Sequence, residues 1–139
     1  MHDLICNLIN GEWVRSQKTQ KNVNPSTGES LGDVVVSGKD EVMAAVSAAK
    51  AAFPAWKRMP APKRGDILQK AALEMARRKE ELARALHLEE GKTYHEALGE
   101  VQKAINNIEF QAGEGRRLNG ETVPSELPST IGRRTIHSG

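Results

Sequence analysis

Apolar residues alternate along the first part of the chain and then recur every three to four residues through its middle. Residues 4–9 and 12–14 are strand-like runs on either side of Asn10-Gly11, a pair that suits a type I′ turn because both central residues need a positive φ. A polar segment, residues 15–22, follows this predicted β-hairpin. A short strand is predicted over residues 31–36, which ends in three valines.

The middle of the chain predicts about four amphipathic helices. The first can be capped by Ser37 or Asp40, and Pro54 is expected to end it. The second follows Pro60 and Pro62. Their apolar stripes are Val42, Ala45, Val46, Ala49 and Phe53 in the first helix and Ile67, Leu68, Ala71, Ala72, Met75 and Ala76 in the second.

The last two helices carry clear end signals. The third is expected to stop at Gly91, a residue that readily adopts left-handed backbone. The fourth begins with Thr93 and Glu96, which have the spacing of a capping box, and runs to about Gly113. Its apolar stripe is Ala97, Leu98, Val101, Ala104, Ile105 and Ile108.

Turn-forming residues mark both flanks of the helical region. Residues 24–28, Asn-Pro-Ser-Thr-Gly, predict a tight turn because proline fixes φ and glycine can adopt a positive φ. After the fourth helix, Asn119-Gly120, Pro124 and Pro128 predict an extended tail, and Thr135-Ile136 a final strand. The sequence therefore predicts an α/β partial domain with an N-terminal β-hairpin and short strand, about four α-helices and an extended C-terminal tail.

Composition and charge restrict the class of protein. A chain of 139 residues that is 38% hydrophobic and 27% charged, with both signs interspersed, is typical of a globular protein with its own core. The longest apolar stretch, residues 42–53, is far shorter than a membrane span, and the N-terminus lacks a signal peptide, so we expect a cytoplasmic protein. A net charge of +2 and 4% aromatic residues argue against a nucleic-acid surface.

Motifs that could carry chemistry by themselves are weak. The single cysteine, Cys6, lies in an apolar run, which favours a buried, inert thiol. Residues 113–115 read Gly-Glu-Gly but end a helix, whereas a phosphate cradle needs a helix N-terminus. The four histidines lack metal-ligand spacing, which favours surface or capping roles. They are His2, His87, His95 and His137.

Paired carboxylates give only one candidate. Glu89 and Glu90 are neighbours on a helix, so their side chains point about 100° apart and do not share a site. Glu89 lies one turn before a helix end, next to Gly91 and Lys92. It can be a structural glutamate that accepts backbone or lysine hydrogen bonds, or part of a functional site.

Six blocks in this order resemble the N-terminal part of the aldehyde dehydrogenase superfamily, and the similarity covers residues 8–134. The blocks are residues 9–14 (INGEWV), 23–29 (VNPSTGE), 51–56 (AAFPAW), Arg64, 88–92 (LEEGK) and 110–113 (FQAG). Residues 112–117 and 119–125 are most similar to the bacterial semialdehyde branch, such as α-ketoglutarate semialdehyde dehydrogenase.

The resemblance implies oxidation of an aldehyde to a carboxylic acid with NAD or NADP. In the family a cysteine thiolate attacks the carbonyl, hydride passes to the nicotinamide, and a glutamate-activated water releases the acyl group. All of these residues lie downstream of the part that resembles this chain, and Cys6 is not at the nucleophile position. We therefore expect residues 1–139 to be the N-terminal part of the NAD(P)-binding domain, without the dinucleotide-binding core or catalytic domain. Alone they are expected to be inactive and to bind no cofactor.

Two positions of this chain match residues that bind a cation in some members of the family. In some members a monovalent cation is held by a backbone carbonyl just before the Asn-Pro turn and by the carboxylate that precedes x-Gly-Lys. The matching positions here are Val23 and Glu89. Oxygen ligands of this kind suit a hard cation.

Three functions remain open at this point: a partial aldehyde dehydrogenase, a non-catalytic helical assembly module derived from that fold, and a nucleic-acid binder, which the charge disfavours. In the family, stripes such as residues 97–108 bury against the nucleotide-binding domain, so we expect exposed apolar surface. Such surface predicts self-association or pairing with the missing remainder. An aldehyde substrate is expected only in the full-length context.

Overall fold

The computed structural model describes residues 4–118, 121–124 and 131–134 of the chain. Its elements in chain order are β1 (Leu4–Ile5), β2 (Asn7–Ile9), β3 (Glu12–Val14), β4 (Thr19–Val23), β5 (Ser30–Val35), α1 (Lys39–Arg58), α2 (Ala61–Arg77), α3 (Lys79–Glu90), α4 (Tyr94–Glu114), β6 (Glu121–Pro124) and β7 (Ile131–Arg134). The predicted order of hairpin, strand, four helices and extended tail is confirmed.

The strands form three small sheets. β2 and β3 are an antiparallel hairpin whose turn residues, Asn10 and Gly11, have φ values of 53° and 82°, as a type I′ turn requires. β5 is the central strand of a second sheet, parallel to β1 and antiparallel to β4. β6 pairs with β7. The strand predicted at Thr135-Ile136 lies outside the described residues.

Two predictions about helix α1 are wrong. Pro54 lies inside the helix, which continues to Arg58. The proline removes only the hydrogen bond to the carbonyl of Lys50, and because both residues are exposed, water can bind that carbonyl. The N-cap is Gly38, not Ser37 or Asp40, and the Glu41 carboxylate accepts a hydrogen bond from the Gly38 amide at 2.8 Å.

The predicted ends of α3 and α4 are confirmed. Gly91 ends α3 in left-handed backbone with φ 68°. At the start of α4, the Glu96 amide donates to the Thr93 hydroxyl oxygen at 3.3 Å, and the Thr93 amide donates to the Glu96 carboxylate at 3.1 Å. The Thr93 hydroxyl, and then its backbone amide, lower the pKa of Glu96. The capping box therefore fixes the position at which α4 begins.

The core lies where α2, α3 and α4 meet. Ala72, Ala83 and Ala97, one from each helix, are fully buried, and Val101 and Ile105 of α4 lie beside them. Because three of the five side chains are alanines, the helix backbones approach closely. The expectation that the α4 stripe is exposed is therefore wrong, since α2 and α3 cover it.

The apolar stripe of α1 stays largely exposed. No residue of α1 is buried, and Val42, Val46 and Phe53 are 54%, 47% and 51% exposed. Ala45 and Ala49 of the same stripe are also exposed. We call these five residues the α1 apolar face. None of the four described helices combines the length and apolar character needed to cross a lipid bilayer.

Candidate functional site

The Asn-Pro turn between β4 and β5 is held by hydrogen bonds made by Asn24. Its side-chain oxygen accepts from the Ser26 amide at 2.9 Å, and its carbonyl accepts from the Gly28 amide at 2.7 Å. Asn24 is buried, and Gly28 has a φ of 76°. The tight turn predicted from the sequence is therefore confirmed, and buried asparagine is its anchor.

The end of α3 lies directly against this turn. A Cβ atom added at Gly91 would be 2.9 Å from the Ser26 amide nitrogen and 3.0 Å from Cγ of Pro25. Real Cβ atoms do not approach a backbone atom so closely, and the φ of Gly91 also disfavours any other residue. A nitrogen of the His87 ring bonds to the Lys92 carbonyl and covers the helix end, in line with the predicted capping role. Glycine at position 91 thus allows the end of α3 to pack directly against the Asn-Pro turn. We call this contact between Gly91 and residues 25–26 the joint between the turn and α3.

A second contact joins the same two segments. Nδ2 of Asn22, near the end of β4, lies 3.0 Å from Oε1 and 2.9 Å from Oε2 of Glu89. The strand pairing shifts register between Asn22 and Val23, so that Asn22 lies opposite Gly32 and Val23 opposite Ser30. Such bulges redirect the strand locally. Asn22 was not predicted as a site residue, and its position directly before Val23 was the only sequence signal.

The side chain of Lys92 forms ion pairs with carboxylates other than that of Glu89. Its ammonium group lies 2.5 Å from Glu90 and also contacts Glu100 on α4. The hydrogen bonds from Lys92 to Glu100 and then to Glu90 raise the pKa of Lys92 to about 12. Among residues 4–118, no basic side chain forms an ion pair with Glu89. The alternative that Glu89 accepts a lysine hydrogen bond is therefore wrong, since an amide takes that place.

The structure brings the surroundings of Val23 and Glu89 together. Val23 is the last residue of β4, between Asn22, which contacts Glu89, and the turn that contacts Gly91. The groups in contact beside this joint are the Glu89 carboxylate and the Asn22 amide, and the end of α3 carries the negative pole of its helix dipole. A carboxylate oxygen is a donor that suits a hard cation of low charge. Within the described part of the chain, no group of three His, Cys, Asp or Glu residues could hold a metal ion.

The Gly-Glu-Gly motif of residues 113–115 lacks the helix N-terminus that a phosphate cradle needs. Residues 113–115 lie at the C-terminal end of α4, where free carbonyls would repel a phosphate. The Cβ position of Gly113 is filled by the Arg117 guanidinium, and that of Gly115 would be 2.5 Å from the Ala61 carbonyl oxygen. Both glycines therefore lie in close contacts within the chain.

Known proteins are similar to this chain in both sequence and fold. The model of the aldehyde dehydrogenase family matches residues 13–136. Malonate-semialdehyde dehydrogenase 2 of Oceanobacillus iheyensis is 42% identical over 137 residues, which are 95% of this chain and 28% of that protein. The enzyme of the same name from Geobacillus kaustophilus is 46% identical over 120 residues, which are 85% of this chain and 25% of that protein.

Solved structures agree with these relatives. The crystal structure of an Escherichia coli NADP-dependent enzyme superposes with a TM-score of 0.84 and 39% identity, over 89% of this chain and 26% of that one. The chain thus spans about a quarter of the length of the relatives it matches. The names of the Oceanobacillus and Geobacillus relatives agree with the semialdehyde branch, although they give malonate where the resemblance suggested α-ketoglutarate. Since the family model covers most of its residues and the fold is shared, the chain belongs to the aldehyde dehydrogenase family.

Proposed function

We propose that residues 1–139 are the N-terminal part of the NAD(P)-binding domain of a dehydrogenase that oxidises a semialdehyde to a carboxylic acid. The observation that carries this proposal is the 42% identity to a malonate-semialdehyde dehydrogenase over 95% of the chain. These residues include neither the dinucleotide-binding core nor the catalytic domain. Bound NAD or NADP would accept the hydride, and aldehyde substrate would bind, only in the full-length context.

The contribution of these residues to the reaction is structural. Cys6 lies between β1 and β2, and its sulfur is 4.0 Å from the Leu4 carbonyl oxygen. Helices α2 to α4, together with the joint between the Asn-Pro turn and the end of α3, instead form a scaffold that can support the rest of a nucleotide-binding domain. The substrate-binding and nucleophilic groups belong to other parts of the family's fold.

A chimera tests this assignment. This chain would replace the matching N-terminal segment of the Oceanobacillus iheyensis enzyme. We expect a soluble protein that reduces nicotinamide cofactor in the presence of malonate semialdehyde, because the scaffold is shared. The matched control is the same chimera with Gly65→Val, which is expected to prevent α2 and α4 from packing. A folded chimera without activity would contradict the proposal.

Residues 1–139 by themselves are expected to give no aldehyde-dependent NADH or NADPH. The only thiol is Cys6, and the Gly-Glu-Gly motif lies at the C-terminal end of α4, where a phosphate is not favoured. The measurement is absorbance of reduced cofactor with malonate, succinate and α-ketoglutarate semialdehydes. Turnover that persists in a Cys6→Ser variant would show a nucleophile other than the thiol, and turnover lost in that variant would make Cys6 catalytic. Either result would contradict the expected inactivity.

We further propose that the joint between the turn and α3 binds a monovalent cation. The ligands are the backbone carbonyl of Val23 and the carboxylate of Glu89. Two contacts support this placement, since Asn22 and the Asn-Pro turn hold both sides of Val23 against the end of α3. A cation bound here would offset the negative charge of Glu89 and the helix end.

The alternative function is a non-catalytic helical assembly module. The observation that favours it is the α1 apolar face, whose three large side chains are each about half exposed. Exposed apolar surface of this kind favours binding to another copy or to a complementary polypeptide. Self-association without any NAD binding would favour the module, whereas activity of the chimera would favour the dehydrogenase.

A further inference from the structure

The contact between Asn22 and Glu89 joins two segments that are 67 residues apart in sequence. The amide nitrogen lies 3.0 and 2.9 Å from the two carboxylate oxygens, so one donor group spans the whole carboxylate. Glu89 is exposed, and a glutamate at an exposed helix end normally samples many rotamers. A contact to both oxygens restricts the plane and the direction of the carboxylate.

The amide leaves room for a further ligand. A carboxylate offers about four lone-pair positions. Nδ2 of Asn22 is nearly equidistant from the two oxygens, and its two N–H groups fill at most two of these positions. The amide can therefore orient the carboxylate without replacing a cation.

No ion pair from residues 4–118 offsets the charge of the Glu89 carboxylate. The amide of Asn22 is neutral, and Lys92 is engaged by Glu90 and Glu100. The carboxylate at the negative end of α3 thus keeps its attraction for a cation, in a fixed orientation.

We propose that Asn22 is the positioning residue of the cation site, holding the Glu89 carboxylate beside the carbonyl of Val23. The end of β4 supplies both the carbonyl ligand, from Val23, and the positioning amide, from Asn22. The two residues are adjacent, and the bulge lies between them. This inference rests on the proposed cation site. Nothing in the family resemblance assigned a role to Asn22.

Sodium binding to the purified chain tests the inference. Sodium chloride is titrated and followed by ²³Na relaxation, with thermal unfolding as a second readout. Asn22→Leu keeps the approximate size but has no donor, and we expect sodium affinity to fall about five- to tenfold. Asn22→Val, which suits a strand, is expected to behave alike. Asn22→Gln restores an amide and is expected to recover part of the affinity, which a merely structural role would not produce.

Two controls separate the inference from the site on which it rests. Gln20→Leu changes an exposed position of the same strand and is expected to leave sodium affinity unchanged. Glu89→Gln removes the charge and is expected to abolish binding. If the native chain binds sodium and both Asn22→Leu and Asn22→Val bind it equally well or more tightly, only the role of Asn22 is overturned. If the native chain shows no saturable sodium binding, the cation site itself is wrong, and the role of Asn22 with it.

Discussion

Replacing Gly65 by valine is expected to push α2 away from α4 and to destabilise the helical part of the chain by about 3 kcal/mol. A Cβ atom at this position would be 2.5 Å from the carbonyl oxygen of Ala112. That oxygen belongs to the α4 backbone, so it cannot rotate away as a side chain could. Overpacking a core costs about 1–3 kcal/mol, and more where a backbone must move. Since domains are stable by only about 5–15 kcal/mol, a loss near 3 kcal/mol is a large fraction.

The matched control is Gly99→Val, because Gly99 is also inside a helix but has no atom within 4 Å of its Cβ position. Helix propensity alone favours valine over glycine by a few tenths of a kcal/mol, roughly, so this variant is expected to be neutral or slightly stabilised. Urea unfolding of the three proteins, at one concentration, is followed by far-ultraviolet circular dichroism. Equal stability of the two variants would show that the α2–α4 contact is not close.

The purified chain is expected to self-associate through the α1 apolar face. Val42, Val46 and Phe53 are each about half exposed, and burying a large apolar side chain completely is worth about 1.5–3 kcal/mol. Three such residues on one helix face can therefore stabilise an interface between copies. The double variant Val42→Glu, Val46→Lys places a favourable i,i+4 charge pair on this face and is expected to be monomeric.

Light scattering after size-exclusion chromatography, over a range of concentrations, measures this effect. The control is Ser47→Glu, Ala51→Lys, which has the same spacing and net charge but lies on the opposite side of α1, where both positions are exposed. We expect the control to associate like the native chain. A native chain that stays monomeric at high concentration would contradict the prediction.

Local sequence signals predicted the element ends that depend on one or two residues. Gly91, Thr93 and Glu96 have conformational or hydrogen-bonding preferences that act within one turn of helix, and the structure confirms them. Proline is a local signal too, but its cost depends on exposure. Pro54 and Lys50, the residue whose carbonyl loses its helical donor, are both exposed, and the helix continues to Arg58.

Strand β4 was not predicted, because its sequence lacks alternating apolar residues and it forms through hydrogen bonds to β5. Residues 19–23 read Thr-Gln-Lys-Asn-Val, without alternating apolar residues, and four of the five are exposed. The strand forms because β5 offers hydrogen-bonding partners along its edge. For a similar reason the Asn22–Glu89 contact could not be predicted. No periodicity relates residues 67 positions apart, and only the fold brings the turn to the end of α3.

The burial of the α4 stripe shows the same dependence on partners. Its helical spacing was predicted correctly, but spacing does not say which neighbour covers a stripe. Ala97, Val101 and Ile105 pack on α2 and α3 within this chain. The stripe of α1 has equally good spacing and stays exposed.

The three fully buried alanines also determine how the gene encoding this chain can vary. A single-base change at the first or second position of an alanine codon gives glycine or a larger amino acid, whereas a change at the third position is silent. At Ala72, Ala83 and Ala97, which are fully buried where the helices meet, almost every replacement adds atoms to a close-packed region. The first two bases of these codons should therefore be among the least variable in the gene, although the alanine side chains take part in no chemistry.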